Sequence, residues 1–119
     1  MTQVELLMHL ERLYPNKVRV RGARYAQIEV EEFASDGDGY CVYGEVSKRP
    51  GMVHVTDGGS TGMRMWTDEM ERNFKSTAEA VCSNHEVGFH KGEIHKHVPL
   101  ESVPEAVQQV IAAMKVLDP

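Results

Sequence analysis

The chain's means of doing chemistry are concentrated in Asn84-His-Glu-Val-Gly-Phe-His-Lys-Gly-Glu-Ile-His-Lys-His97, which holds four of its six histidines and two of its carboxylates. Lys91-Gly92 is a short polar pair between two alternating runs, the signature of a two-residue hairpin tip. That tip pairs His90 with Glu93, Gly88 with His95 and Glu86 with His97. Residues directly opposite share a face, so Glu86, His90, Glu93, His95 and His97 gather on one side. Val87, Phe89, Ile94 and Val98 gather on the other, with Lys96 as the exception and His85 at the end. Three imidazoles, His90, His95 and His97, with the carboxylates Glu86 and Glu93 as ligand or base, are a donor set for zinc or a similar divalent metal. A hairpin that covers a core also needs a polar outer face, and histidine serves there without any ion. The spacing H-x-H is free in strands, so the sequence favours the wet face over the metal. A cluster of imidazoles titrating together in mild acid is a third reading.

The second candidate is Asp57-Gly58-Gly59-Ser60-Thr61, where a strand feeds a helix. Backbone N–H groups at such a turn can hold a phosphorylated small molecule such as a nucleotide. It lacks the lysine and spacing of a P-loop, and a tight turn capped by Ser60 or Thr61 is the structural alternative. A third candidate is the acidic group Glu29, Glu31, Asp36, Asp38 and Glu45, which can dock on a basic partner through complementary potential. Asp36-x-Asp38-Gly39 is half of a calcium loop without its distal glutamate, and reads better as a hairpin turn. The basic run Lys17-x-Arg19-x-Arg21 with Arg24 is too thin a footprint for nucleic acid in a chain of net charge −5. No Ser-His-Asp or Cys-His signature is present.

These residues need a scaffold, and the chain has material for one domain: 119 residues, 41% of them apolar. No apolar run approaches the roughly 20 residues that span a bilayer, and the N-terminus lacks a signal-peptide pattern, so a cytoplasmic protein is expected. Cys41 and Cys82, without C-x-x-C spacing, read as buried free thiols. Thr2-x-x-Glu5 opens a helix with Leu6, Leu7, Leu10, Leu13 and Tyr14 on its core stripe, and Pro15 ends it. From Lys17 to Thr56 the period is two, which predicts an antiparallel meander with turns at Ser35–Gly39 and Arg49–Met52. The second turn, read as type II, sets Val46 opposite Val55 and turns Glu45, Ser47, His54 and Thr56 outward.

Met63, Trp66, Met70 and Phe74 predict a helix, which Ser76-x-x-Glu79 is expected to break near residues 73–75 and restart. Met65, off that stripe, is a candidate partner contact. After the histidine hairpin, Ser102-x-x-Glu105 with Pro104 starts a last helix carrying Val103, Val107, Val110, Ile111, Met114 and Leu117. The expected fold is therefore α+β: an N-terminal helix, a meander, a broken Met-rich helix, a β-hairpin and a C-terminal amphipathic helix.

The element order and Thr56-Asp57-Gly58-Gly59-Ser60-Thr61, with Gly92-Glu93-Ile94 in the later strand, resemble a family of small prokaryotic and phage proteins catalogued as a domain of unknown function. The family's mark is a Thr-Asp-(Asp or Gly)-Gly-x-Thr turn between strand and helix. The resemblance implies a fold and a phage or mobile-element setting, and no activity. The histidine hairpin departs from the family pattern, so no family role is carried onto it. With no catalytic constellation in sight, the chain reads first as a non-enzymatic interaction protein, an accessory factor or inhibitor that binds a host or defence protein. Exposed sheet edges also suit a homodimer. Metal binding and nucleotide binding are the alternatives.

Overall fold

Thr2 starts the first helix as its spacing predicts: its hydroxyl accepts the Glu5 N–H at 3.2 Å, and Glu5 reaches back to that hydroxyl. The computed structural model describes residues 1–33, 39–61 and 71–117, without the side chains of 31–33 and 71–73. The expected Ser35–Gly39 turn, apart from Gly39, the stripe residues Met63, Trp66 and Met70, and Met65 off that stripe lie outside the described residues. The helix, α1 (Gln3–Leu13), buries Leu6 and Leu10 completely and leaves Leu13 exposed at its end. Leu10 sits so close to the sheet that a Cβ on Gly44 would lie 3.2 Å from its methyl carbon.

Four strands follow, β1 (Val18–Arg21), β2 (Tyr25–Phe33), β3 (Gly39–Val46) and β4 (Met52–Thr56), each antiparallel to the next. The basic strand β1 thus pairs with the acidic strand β2, and Arg19 meets Glu29 at 2.5 Å. After helix α2 (Glu71–Asn84) come β5 (Gly88–His90) and β6 (Glu93–Pro99), then a short 3₁₀ turn (Leu100–Ser102) and α3 (Val103–Leu117). The sheet order is β1-β2-β3-β4-β6-β5, so the late hairpin docks by β6 onto β4. Alternation puts Ile28, Val42, Val53, Val55 and Ile94 on one face, all fully buried, under α1 and α3. From α3, Val103, Val107, Val110, Ile111 and Met114 fill the same core, each contributing about 1.5–3 kcal/mol by burial. Among the described residues no helix is long and apolar enough to cross a membrane.

Several expectations change. Val46 faces Val53 rather than Val55, because Ser47 and Met52 close a four-residue turn instead of a two-residue one. The Ser47 hydroxyl accepts the Arg49 N–H at 3.0 Å and so widens the loop. A slip of two residues keeps every side chain on its face, and Glu45, Ser47, His54 and Thr56 still point outward. The helix does not break near residues 73–75: α2 runs through Ser76, because Phe74, Ala78, Val81 and Cys82 form one continuous apolar stripe that outweighs a serine in an exposed turn. The cysteines are free, but only Cys82 is buried; Cys41 is half-buried on the outer face.

The turn after β4 is tied by its own aspartate. Asp57 is fully buried, and its carboxylate accepts the N–H groups of Gly59 at 2.8 Å, Thr61 at 3.2 Å and Ile94 at 3.0 Å. The capping role expected of Ser60 or Thr61 falls to this residue. Burial raises the Asp57 pKa, and the three N–H bonds pull it back only part of the way. Asp57→Ala would leave three donors unpaired; urea unfolding is expected to show a loss of about 3 kcal/mol or more.

Glu86 was expected opposite His97 and is not there. It holds a left-handed conformation, φ 61°, as the residue just past the end of α2. Its N–H bonds Ser83 O at 3.2 Å while Val87 N–H bonds Cys82 O at 2.9 Å, the paired closure of a Schellman motif. Helix termination outranks strand alternation here, and β5 begins only at Gly88. Because glycine takes that conformation without a Cβ penalty, Glu86→Gly is expected to stabilise the fold by about 1 kcal/mol, readable as a raised Tm.

Candidate metal centre

Asp57 also sets what lies across the sheet. Its N–H donates to Ile94 O at 3.0 Å while its carboxylate takes Ile94 N–H, which locks the start of β6 to the end of β4. In that register Thr56 faces His95 and His54 faces His97. All four point away from the core.

At the hairpin tip, Lys91 and Gly92 both have positive φ, the mirror-image turn that matches strand twist, and Gly88 faces His95 as the spacing predicts. Gly88 is needed there. A Cβ on it would lie 3.0 Å from His95 Nε2, so the bare glycine is what lets the imidazole lie against the neighbouring strand.

His54, His95 and His97 each offer a ring nitrogen, and the three nitrogens lie within 4.8 Å of one another. His54 and His97 stack at 4.6 Å with planes 13° apart, and His95 meets both edge-on at 5.6 and 5.7 Å. Neighbours hold two of the rings. His54 Nδ1 bonds Glu45 Oε1 at 3.1 Å, and Glu45 is itself tied to Arg24 at 2.8 Å. His97 Nδ1 bonds the Ser47 hydroxyl at 2.8 Å. The bond to Ser47 leaves His97 Nε2 for another use, whereas His54 Nε2 faces Glu93 Oε1 at 3.3 Å. His95 Nδ1 is buried with no hydrogen-bond partner among the described residues. Beside the trio stands Glu93, which accepts the Thr56 hydroxyl and lies 3.3 Å from His54 Nε2.

The electrostatics divide the cluster. The hydrogen bond to Glu93 raises the His54 pKa, burial opposes it, and Glu45 adds to the rise. Burial and then the charge on His54 lower the pKa values of His95 and His97. The three imidazoles are thus shifted apart, His54 upward and His95 and His97 downward from the usual histidine range. The bond with His54 in turn lowers the Glu93 pKa, against burial.

Imidazole donors fixed from behind by a carboxylate and a hydroxyl are the arrangement that orients metal ligands. Metal–nitrogen bonds of about 2.1 Å in a tetrahedral shell put ligand atoms roughly 3.4 Å apart, so modest side-chain rotations would close the trio on an ion. Sequence reasoning named His95 and His97 correctly as neighbours and missed His54. The signal for His54 was present, since alternation turned it outward on β4, but nothing local says that β4 and β6 are adjacent.

His90 is exposed and meets His95 with ring centroids 6.5 Å apart, and among the described residues it stands outside the trio. Glu86 has gone to the helix side, where Gln109 donates to it at 3.1 Å and receives Lys96 at 2.6 Å. At the 57–61 turn the donors an anion would need are engaged: Gly58 N–H by Thr56, Gly59 and Thr61 N–H by the Asp57 carboxylate, and Ser60 N–H by the Asp57 carbonyl. Of the acidic group, Glu29 and Glu45 pair with Arg19 and Arg24. Asp36, Asp38 and the Glu31 side chain lie outside the described residues.

No protein-family model, curated protein or solved structure matches the chain.

Histidine titration by NMR should give His54 the highest pKa of the trio, above about 6.5, with His95 and His97 below it. His54→Gln removes the neighbouring cation and should raise the other two. The stability effects have opposite signs. The contribution of His54 is fully present below its unfolded pKa and is lost as pH rises through its folded value. Those of His95 and His97 are lost as pH falls from about 6.5 through their folded values.

Proposed function

We propose that the chain is a metal-binding protein in which His54, His95 and His97 hold one divalent transition metal, with zinc the best match to an all-imidazole donor set. The observation that carries this reading is the convergence of three ring nitrogens within 4.8 Å, two of the rings held from behind by Glu45 and Ser47. The buried, unpartnered His95 Nδ1 supports it, because an unmet polar atom costs about 1–3 kcal/mol unless something occupies it.

Three protein ligands rather than four fit a centre that keeps a position open, with the Glu93 carboxylate close by. The competing reading is a non-enzymatic interaction factor using the acidic face or the hairpin's polar face; on the acidic face, Glu29 and Glu45 pair with arginines.

Protein purified without a histidine tag should take up one zinc per chain in elemental analysis. Free zinc at a hundred times its Kd should stabilise the fold by about 2.7 kcal/mol. His54→Ala, His95→Ala and His97→Ala should each abolish the thermal shift, and His90→Ala should keep it. A protein that takes up no stoichiometric metal, with a Tm indifferent to zinc, defeats the proposal.

A further inference from the structure

Three imidazoles leave a four-coordinate ion one position short, and the charges around the trio indicate what suits that position. We infer that it takes an oxyanion of the carboxylate or phosphate type, with Arg49 as the counter-charge. This rests on the metal reading above and goes beyond it by naming the chemistry of the ligand.

Four charged side chains bear on the site. Glu45 bonds His54 and is cancelled by Arg24 at 2.8 Å. Glu93 stands beside His54, already engaged by the Thr56 hydroxyl. Arg49 is exposed and makes no ion pair among the described residues. Its backbone N–H is fixed by the Ser47 hydroxyl at 3.0 Å, the same hydroxyl that bonds His97 at 2.8 Å. The residue is thereby placed at the His97 side of the cluster.

With a dication bound by three neutral imidazoles, the sum is two positive charges from the ion and two from the arginines, against two negative ones from Glu45 and Glu93. The site is left with a surplus of positive charge. A cationic ligand is repelled, and a neutral one leaves the surplus unmet. An oxyanion can bind the ion through one oxygen and present another to a guanidinium, whose planar donors match two oxygens at once.

The test uses the untagged full chain loaded with cobalt(II), whose visible bands respond to the ligands around the ion. Inorganic phosphate and acetate are titrated separately at constant ionic strength. The expected result is a saturable change in the bands with at least one of the two, and the pair distinguishes a phosphate-bearing ligand from a carboxylate. Arg49→Gln should weaken that response roughly tenfold or more while leaving cobalt affinity within about twofold. Bands that ignore both anions in protein holding one cobalt, as when Glu93 itself fills the position, overturn this inference and leave the metal reading intact. An undiminished response in Arg49→Gln overturns the role of Arg49. Failure to bind cobalt overturns both readings together.

Discussion

The structure turns on one buried carboxylate. Asp57 ends β4, caps the turn that follows, and reaches across to the backbone of Ile94. Without that reach β6 would still be an amphipathic strand, but nothing would fix which of its residues faces which on β4. A slip of one residue would turn His95 and His97 into the core and bring Ile94 and Val98 out, so the register is held by the whole apolar face as well. The aspartate adds a fixed end point. Its bonds begin the ladder from which the pairing of Thr56 with His95 and His54 with His97 follows.

Local physics made much of this legible from the sequence. Thr2 and Glu5 announced α1; the alternation from Ala26 to Thr56 announced the meander; Lys91-Gly92 announced a hairpin whose pairs His90–Glu93 and Gly88–His95 are found as expected. What was not legible depended on competition or distance. Glu86 obeyed its helix rather than its strand, and Ser76 stayed within one because the apolar stripe continued through it. His54 was read as outward-facing and left alone. A strand's period fixes the face of each side chain, whereas its neighbour across the sheet is set by topology, and the β4–β6 pairing skips over α2 and β5.

The outer face carries groups that work against stability. Three rings crowd together, and the pKa values of two of them, His95 and His97, are pushed down by burial and by the charge on His54. His95 keeps a nitrogen inside with no hydrogen-bond partner among the described residues. Gly88 gives up side-chain packing on β5 so that the His95 imidazole can lie against it. A face needed only to meet water would be served by lysine, glutamate or threonine without any of these costs. Unmet demands of this kind gather where a protein binds something.

The order in which the strands lie has a further consequence. β1 to β4 each pair with a sequence neighbour, and so do β5 and β6, which makes two blocks that can close quickly through short loops. The β4–β6 pairing joins them, with α3 packed across both blocks, and it must wait for distant parts of the chain to meet. His54 stands on one side of that pairing, His95 and His97 on the other. The cluster is therefore assembled only when the two blocks dock, and neither block carries it alone.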